Sequence, residues 1–304
     1  MTDAPQQARK IVGLGEVLWD IYNGRKFLGG SPANFAVHSA LAGHNAYLCS
    51  RIGDDETGRA ILTELQQKNI NVSGVQLDIF KNTGVVRIRL DEFGHPSYDC
   101  TNAVAFDDMR LDSVWEELAP QMDVVFWGML AQRSDISREA MQAFIKIANK
   151  AIKVCDLNIR RWDAAIEQTI MTNLQFADII KLNKNECDLL KKGYGSQADD
   201  ILFVRELIVK NNIQLAALTL GSQGCFLVTA EREEFDPGYF ITPVDTSGAG
   251  DAFAAGLVHK YLQGASLADM ADFANVLAAY VSMFQGATPP WTFDQLDNFK
   301  AKSL

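Results

Sequence analysis

A short segment late in the chain, residues 245–256 (DTSGAGDAFAAG), combines two carboxylates with glycines and other small residues. Apolar residues at helical spacing follow it, so residues 247–250 are predicted to form the turn that opens a helix. Uncovered backbone N–H groups and the partial positive charge of a helix N-terminus would bind an anion such as a transferring phosphoryl group, with Asp251 beside it. The same residues could instead form a tight glycine turn into a helix, with an acidic residue in the first turn because the helix dipole favours it there. The segment alone leaves both interpretations open.

The other glycine-rich pattern is not a nucleotide motif of the common kinds. Residues 13–18 begin like a dinucleotide fingerprint, but Leu18 replaces the third glycine and residues 18–21 continue like a strand. The pattern GxxxxGK[ST] is absent, so the sequence lacks the lysine that follows the glycines in a P-loop. A Rossmann oxidoreductase and a P-loop enzyme are therefore disfavoured, and any phosphate must be bound by another device.

The cysteines and histidines give no metal signature. The four histidines are dispersed, and no C-x-x-C or H-E-x-x-H pattern occurs. The five cysteines are odd in number and widely spaced, and we expect buried free thiols. They are Cys49, Cys100, Cys155, Cys187 and Cys225.

The composition points to a globular protein with a small-molecule partner. The chain has 304 residues, 48% of them hydrophobic, and a formal net charge of -10, which disfavours nucleic acid and anionic membranes as partners. The first ten residues lack an apolar segment, and no apolar run approaches the roughly 20 residues that span a bilayer. We expect a cytoplasmic location.

The order of elements predicts an α/β protein, a doubly wound and mainly parallel sheet with helices on both faces. Amphipathic helices are predicted over residues 136–150 and 199–212. Buried strands are predicted over residues 11–15, 123–128, 152–158, 178–183 and 215–221. No repeat or long linker divides the chain, so we expect one domain over residues 1–304 that binds its ligand beyond the carboxyl ends of the strands.

Residues 83–99 are predicted to form a hairpin with one wet face. Val86 and Ile88 alternate with Arg87 and Arg89, and a turn is predicted over residues 93–96. We expect a small β lid, contributed by about residues 16–30 and 78–105, whose exposed face could pair two subunits into a homodimer. An ordinary antiparallel edge extension of the main sheet is the alternative.

The sequence resembles the ribokinase-like (PfkB) family of carbohydrate kinases over nearly its whole length. Residues 245–251 match the family signature D-T-x-G-A-G-D. Four further segments resemble its other motifs in the same order: 29–34 (GGSPAN), 51–58 (RIGDDETG), 183–186 (NKNE) and 219–221 (TLG). The resemblance implies ATP and Mg²⁺ as cofactors and a sugar as the small-molecule substrate.

Within the family, fructokinases are the most similar. The segments that carry this likeness are residues 15–20 (GEVLWD), 104–107 (VAFD), 130–133 (LAQR) and 156–160 (DLNIR). The resemblance implies transfer of the γ-phosphoryl of ATP to a primary hydroxyl of fructose, giving fructose 6-phosphate. Ribose, 2-keto-3-deoxygluconate or a nucleoside as acceptor, and a catalytically silent sugar or nucleotide sensor, are the alternatives.

The resemblance also assigns roles to individual residues. Asp251 would be the catalytic base, and Gly248, Ala249 and Gly250 would stabilise charge on the transferred group. The sugar would be held by Asp20, Gly29, Gly30, Asn34 and Arg160. Asn34 could instead cap the helix that begins near residue 31, although Ser31 before a proline is the better N-cap. Asp20 could simply turn the chain at a strand end.

The remaining assignments concern nucleotide and cations. The nucleotide would contact Asn183, Thr219, Gly221, Gly224 and Asn275. Glu186 would organise Mg²⁺ through water, while Asn183 and Glu186 also have the spacing of a capping box. Asp245 and Ser247 could bind a monovalent cation such as K⁺, but Pro290 stands where some relatives have a hydroxyl residue.

Overall fold

The computed structural model describes residues 8–90 and 96–302. The strands are β1 (Lys10–Leu14), β2 (Leu18–Tyr22), β3 (Arg25–Gly29), β4 (Asn45–Gly53), β5 (Asn71–Asp78), β6 (Gly84–Leu90), β7 (Pro96–Cys100), β8 (Val124–Trp127), β9 (Ile152–Asp156), β10 (Ile179–Asn183), β11 (Leu215–Thr219), β12 (Cys225–Val228) and β13 (Glu233–Asp236). The helices are α1 (Ser31–Leu41), α2 (Glu56–Gln67), α3 (Ser113–Leu118), α4 (Asp135–Ile147), α5 (Ala164–Phe176), α6 (Lys184–Tyr194), α7 (Asp200–Asn211), α8 (Ala249–Leu262), α9 (Leu267–Val281) and α10 (Phe293–Lys302).

The main sheet has nine strands in the order β13-β12-β11-β10-β9-β8-β1-β4-β5. Neighbouring strands from β11 to β5 run parallel, and β12 and β13 extend the sheet antiparallel. Each of the five predicted strands overlaps one of these parallel strands, and the two predicted helices overlap α4 and α7. The predicted fold class is confirmed.

Both faces of this sheet are buried. On β8, Val125 and Trp127 pack in the core cluster that α3 to α7 cover, whereas Val124 and Phe126 pack in the cluster under α1, α8 and α9. Side chains alternate between the two faces of a strand, so a strand covered on both faces reads as an uninterrupted apolar run. This burial explains the apolar runs of the sequence. It also holds in place the ends of the strands, which carry polar residues.

A second sheet contains four strands in the order β3-β2-β6-β7. β2 pairs antiparallel with β3 and parallel with β6, and β6 pairs antiparallel with β7. On β6, Val86 is buried and Arg87 is exposed, in the alternation expected for a sheet with one wet face. The turn predicted over residues 93–96 lies largely outside the described residues.

Within the described ranges, no helix is long and apolar enough to cross a membrane. The expectation of buried thiols holds for four cysteines: Cys49, Cys155, Cys187 and Cys225. It is wrong for Cys100, which is half-buried because it ends the edge strand β7 and lines a cavity. Its Sγ accepts a hydrogen bond from Arg133 at 3.3 Å.

Candidate active site

A cavity of about 950 Å³ lies between the carboxyl ends of the parallel strands and the four-stranded sheet. The segments after β1, β8, β9 and β10 form one side, and the starts of α1 and α8 form the floor. This is the location where open α/β sheets bind ligands. The residues proposed from sequence that line it are Asp20, Gly30, Asn34, Arg160, Asn183, Glu186, Ser247, Gly248, Gly250 and Asp251.

Asp251 is the third residue of α8 and only 8% exposed. Ser31 Oγ donates to its Oδ1 at 2.6 Å, and Asn34 Nδ2 donates to its Oδ2 at 2.8 Å. Burial raises the pKa of Asp251 to about 6, with the charge of Asp156 adding to the effect and the two hydrogen bonds opposing it. The carboxylate is thus held at both oxygens with a pKa near the pH at which an enzyme base works.

The predicted N-cap role of Ser31 is wrong. Gly30 occupies the N-cap position of α1 with φ 101°, and Ser31 is the first helical residue. A side chain at Gly30 would approach the carbonyl oxygen of Glu16 to 2.5 Å. The glycine therefore lets the chain turn tightly enough to direct Ser31 toward Asp251, instead of toward the backbone of its own helix.

The glycine turn before α8 is closely packed. Gly248 is the N-cap with φ 76°, and a Cβ there would lie 2.5 Å from Ala287 Cβ. The N–H of Ala249 donates to the carbonyl of Thr246 at 3.2 Å. Gly248 and Gly250 face the cavity, whereas Ala249 is not among the residues that line it. The turn and helix start present an N-terminal dipole beside Asp251.

On the opposite side of the cavity, Asp20 projects from β2. Asp20 pairs with Phe27 on β3, and Gly29 lies two residues further along that strand. Gly29 is outside the lining, and a Cβ there would clash with Asp20 Oδ2. Burial raises the pKa of Asp20 to about 7, repulsion by Asp251 and Asp245 adds to the rise, and attraction to Arg160 opposes it. Gly29 thus makes room for a carboxylate that faces a second carboxylate across the cavity.

The NKNE segment forms the capping box that its spacing indicates. Asn183 is the N-cap of α6, its Oδ1 accepts from Glu186 N at 3.0 Å, and Glu186 Oε2 accepts from Asn183 N at 3.0 Å. Burial raises the pKa of Glu186 to about 7, and the charge of Asp156 adds to the rise. The capping role and a role in the cavity therefore coexist.

Some of the residues proposed for nucleotide binding follow β10 in the chain, and these residues lie outside this cavity. Thr219 ends β11, and Gly221 and Gly224 have φ 61° and 86° in the turn that follows. Asn275 is buried on α9, and its Nδ2 donates to Asp236 Oδ1 at 2.7 Å. In this structure Asn275 therefore binds the end of β13.

Asp245 joins two loops. Its Oδ1 accepts from Ser247 N at 2.9 Å, and its Oδ2 accepts from Gly286 N at 3.0 Å. Next to this contact, His38 Nε2 hydrogen-bonds the carbonyl of Ala287 at 3.0 Å. The glycine turn is thereby tied to the loop that contains Pro290.

Several cavity residues were not assigned from sequence. Lys181 Nζ on β10 forms a buried ion pair with Asp156 Oδ2 at 2.7 Å. A lysine inside the apolar run DIIKLN was the signal that could have identified it. Glu16 and Asp156 each have a buried carboxylate oxygen without a partner among the described residues. These partnerless oxygens mark places where a ligand can donate hydrogen bonds or bind as a cation.

Comparison with known proteins agrees with this geometry. A sequence model described as pfkB family carbohydrate kinase matches residues 6–292. The chain belongs to the PfkB family of carbohydrate kinases. An uncharacterized sugar kinase from Pyrococcus horikoshii is 30% identical over 309 residues, which cover 95% of each chain. Its structure in complex with ATP has a TM-score of 0.82 and 28% identity, covering 96% of this kinase and 99% of that chain.

Two proteins named as fructokinases are also similar to this carbohydrate kinase. Fructokinase-1 of Oryza sativa subsp. japonica is 28% identical over 275 residues, which cover 86% of this chain and 84% of the relative. A fructokinase from Vibrio cholerae O395, solved with fructose, ADP and a calcium ion, has a TM-score of 0.81 and 24% identity and covers 96% and 98% of the two chains. The latter similarity shows the ribokinase-like fold alone.

Proposed function

We propose that this carbohydrate kinase transfers the γ-phosphoryl of ATP to the primary hydroxyl of fructose, giving fructose 6-phosphate. The observation that carries the proposal is the environment of Asp251. This buried carboxylate lies at the start of α8 beside Gly248 and Gly250, is held by Ser31 and Asn34, and faces Asp20 across one cavity. A base, an anion-binding helix start and a group for sugar hydroxyls therefore meet in one place.

The mechanism follows from these positions. Asp251 takes the proton of the attacking hydroxyl as its oxygen bonds to the γ-phosphorus and the bond to the ADP oxygen breaks. The transition state of phosphoryl transfer is loose, so placement and charge stabilisation dominate and the base assists late. The helix start, in which Gly248 and Gly250 face the cavity and Ala249 lies between them, stabilises the transferred group. Asp20, Gly30, Asn34 and Arg160 hold the sugar, and Gly29 makes room for Asp20.

The donor set beside β10 fits a hydrated divalent cation. Glu186 supplies a buried carboxylate, and Asp156 Oδ1 has no partner among the described residues. Mg²⁺ prefers oxygen ligands and keeps several waters, so Glu186 would hold it through water with Asn183 nearby. When bound, the ion neutralises part of the phosphate charge. We place the nucleotide along Asn183, Thr219, Gly221 and Gly224, with Asn275 at its border.

Asp245 and Ser247 remain our candidates for a monovalent cation. Both oxygens of Asp245 accept backbone N–H bonds, and Pro290 offers no side-chain oxygen. Turnover in potassium chloride, compared with tetramethylammonium chloride at equal ionic strength, decides whether K⁺ is required.

Fructose is proposed as the acceptor because the rice relative is named a fructokinase and the Vibrio cholerae structure contains fructose. An ADP-release assay over fructose, ribose, 2-keto-3-deoxygluconate and nucleosides tests it, with mass spectrometry of the product. Phosphorylation of fructose at the highest kcat/KM supports the proposal. Preference for another acceptor overturns the choice of sugar, and sugar binding without ADP release overturns the kinase reaction in favour of a sensor.

We propose further that the four-stranded sheet is a lid, that its exposed face pairs two subunits, and that the enzyme works in the cytoplasm. Strand β3 contacts the 284–286 loop, where Arg25 Nη1 donates to Gln285 Oε1 at 2.6 Å. A lid hinged there would exclude water from the phosphoryl group. Light scattering in solution tests the dimer, since a monomeric mass would contradict it.

A further inference from the structure

A buried ammonium group lies beside the glycine turn that the sequence leaves without a lysine. Lys181 is 6% exposed on β10, and its Nζ would lie 3.0 Å from a Cβ placed on Gly250. It lines the same cavity as Asp251 and Glu186. Lys181 and Gly250 are far apart in sequence, but the fold brings the ammonium group beside the glycine turn. The arrangement is like that of a P-loop, in which the lysine that follows the glycines binds phosphate together with them.

The surroundings of Lys181 keep it charged. Burial lowers the pKa of this ammonium, but attraction to Asp156 and then Glu186, with the hydrogen bond to Asp156, raises it above its ordinary value. Among the described residues, Asp156 is its hydrogen-bond partner, which occupies one of the three N–H donors of a lysine. A buried charge on a cavity wall beside an anion-binding turn favours a phosphate oxygen as its second partner.

We propose that Lys181 is a further catalytic residue that contacts the transferring phosphoryl group, and that Asp156 is the positioning residue that holds its ammonium in place. The proposal rests on the phosphotransferase function proposed above. As the sugar oxygen bonds to the γ-phosphorus and the phosphorus–oxygen bond to ADP breaks, the hydroxyl proton goes to Asp251. Lys181 keeps its proton throughout and stabilises the oxygens of the group in transit.

Removing Lys181 alone would leave Asp156 buried without its cation, which can prevent folding, whereas Asp156→Asn leaves Lys181 its attraction to Glu186. The test therefore compares Asp156→Asn with the double variant Lys181→Met/Asp156→Asn. Asp156→Asn is itself expected to lower kcat, because Asp156 positions Lys181 and belongs to the proposed cation donor set, and it serves as the reference for the double variant. The double variant should lose a further 100-fold or more in kcat, with KM for the sugar nearly unchanged, as for the loss of one transition-state donor.

The pH profile separates this role from a merely structural one. Lys181 lowers the pKa of Asp251 by attraction. The acid limb of the rate profile should therefore lie at higher pH in the double variant than in Asp156→Asn. Lys153→Met is the matched control, because Lys153 lies on the neighbouring strand β9 and its Nζ donates to the carbonyl of Ala151 outside the cavity. Equal kcat values and equal pH profiles for Asp156→Asn and the double variant would overturn the proposal.

A binding measurement decides the matter independently of the acceptor. Calorimetry with ADP and aluminium fluoride, a mimic of the transferring group, should show about 100-fold weaker binding in the double variant than in Asp156→Asn, with ADP alone bound nearly equally. Equal binding of the mimic by both variants would refute the contact. If the wild type phosphorylated no sugar, the proposed function would fail, yet this comparison would still decide the role of Lys181.

Discussion

At the scale of single residues, the cavity is defined by carboxylates whose pKa values burial raises. The pKa reaches about 7 for Glu16, Asp20 and Glu186 and about 6 for Asp251. Grouped and partly desolvated acids destabilise one another when they are all charged. The free enzyme therefore carries a folding cost near neutral pH that bound cations and donor groups of the substrates relieve.

Asp20→Asn should separate binding from stability. The folded-state pKa of about 7 exceeds the ordinary value of 3.8, so the charged form of Asp20 costs folding free energy at pH 8. We expect the variant to be more stable than the wild type at pH 8, by about 1–3 kcal/mol in urea unfolding. The gain should shrink toward zero near pH 4, where the carboxyl is protonated in the folded wild type.

The same variant should raise the KM for the sugar by about tenfold or more, because an amide has one acceptor oxygen and a donor NH₂ group where a carboxylate has two acceptor oxygens for sugar hydroxyls. Asp297→Asn, an exposed change on α10, is the control. A variant that is less stable at pH 8, or that binds sugar as the wild type does, would argue against this view of Asp20.

At the scale of elements, the turn into α8 depends on close approach between two loops. Gly248 and Gly264 both have left-handed φ values, 76° and 67°, but a Cβ at Gly248 would lie 2.7 Å from the carbonyl oxygen of Ala287, whereas Gly264 has open space. Gly264→Ala should cost about 1 kcal/mol for backbone strain alone. Gly248→Ala should cost at least about 2 kcal/mol and most of the turnover.

Urea unfolding and kcat, measured on both alanine variants, test this difference. Gly264→Ala is the control for φ, since it changes the same residue type in the same backbone region. Equal losses of stability, together with normal turnover in Gly248→Ala, would show that the contact with the Ala287 loop does not shape the site.

The elements were predictable from sequence to a greater extent than the contacts among them. Apolar runs located β1 and β8 to β11 because those strands are buried on both faces, and the small residues of 247–250 located the start of α8. Ser31 was misassigned because local rules favour a serine before proline as an N-cap. A contact with Asp251, 220 positions away, lies outside such rules.

The role proposed for Lys181 could not be predicted from the sequence for a related reason. In the sequence it is one polar residue in the buried strand DIIKLN, and its partner Asp156 ends a different strand. Only the parallel pairing of β9 with β10 and the arrival of Gly250 from α8 bring the three together. Motifs can predict which residues take part in chemistry. They do not predict which of those residues the topology of the sheet brings into contact.

At the scale of the whole molecule, His38 joins α1 to the loop before α10. Its Nε2 hydrogen-bonds the carbonyl of Ala287, and Trp291 Nε1 donates to its Nδ1 at 3.1 Å. The bond from Trp291 requires the neutral ring, because a protonated Nδ1 cannot accept, whereas Nε2 donates to the Ala287 carbonyl in either state. Burial lowers the pKa of His38 to about 4, with the Ala287 contact opposing the shift and Lys68 adding to it.

His38→Gln should therefore change the pH dependence of folding. The folded-state pKa lies below the ordinary 6.5, so the unfolded chain takes up a proton first and the wild type loses stability as pH falls from 6.5 toward 4. Glutamine does not titrate. The stability advantage of the wild type over the variant should shrink by about 2 kcal/mol between pH 7.5 and 5. Urea unfolding at the two pH values measures it, and a difference that stays constant would contradict the neutral buried histidine.

In the proposed function, the main sheet, the helix starts and the four-stranded sheet together place the carboxylate of Asp251 beside the transferred phosphoryl group. The most direct test compares phosphoryl transfer from ATP to fructose by the wild type, Asp251→Asn and the control Asp294→Asn. Asp294 is also a first-turn helix acid but is exposed. We expect at least a 1000-fold loss of kcat in Asp251→Asn with native folding, and wild-type rates in the control. Near-wild-type turnover by a folded Asp251→Asn enzyme would contradict the account.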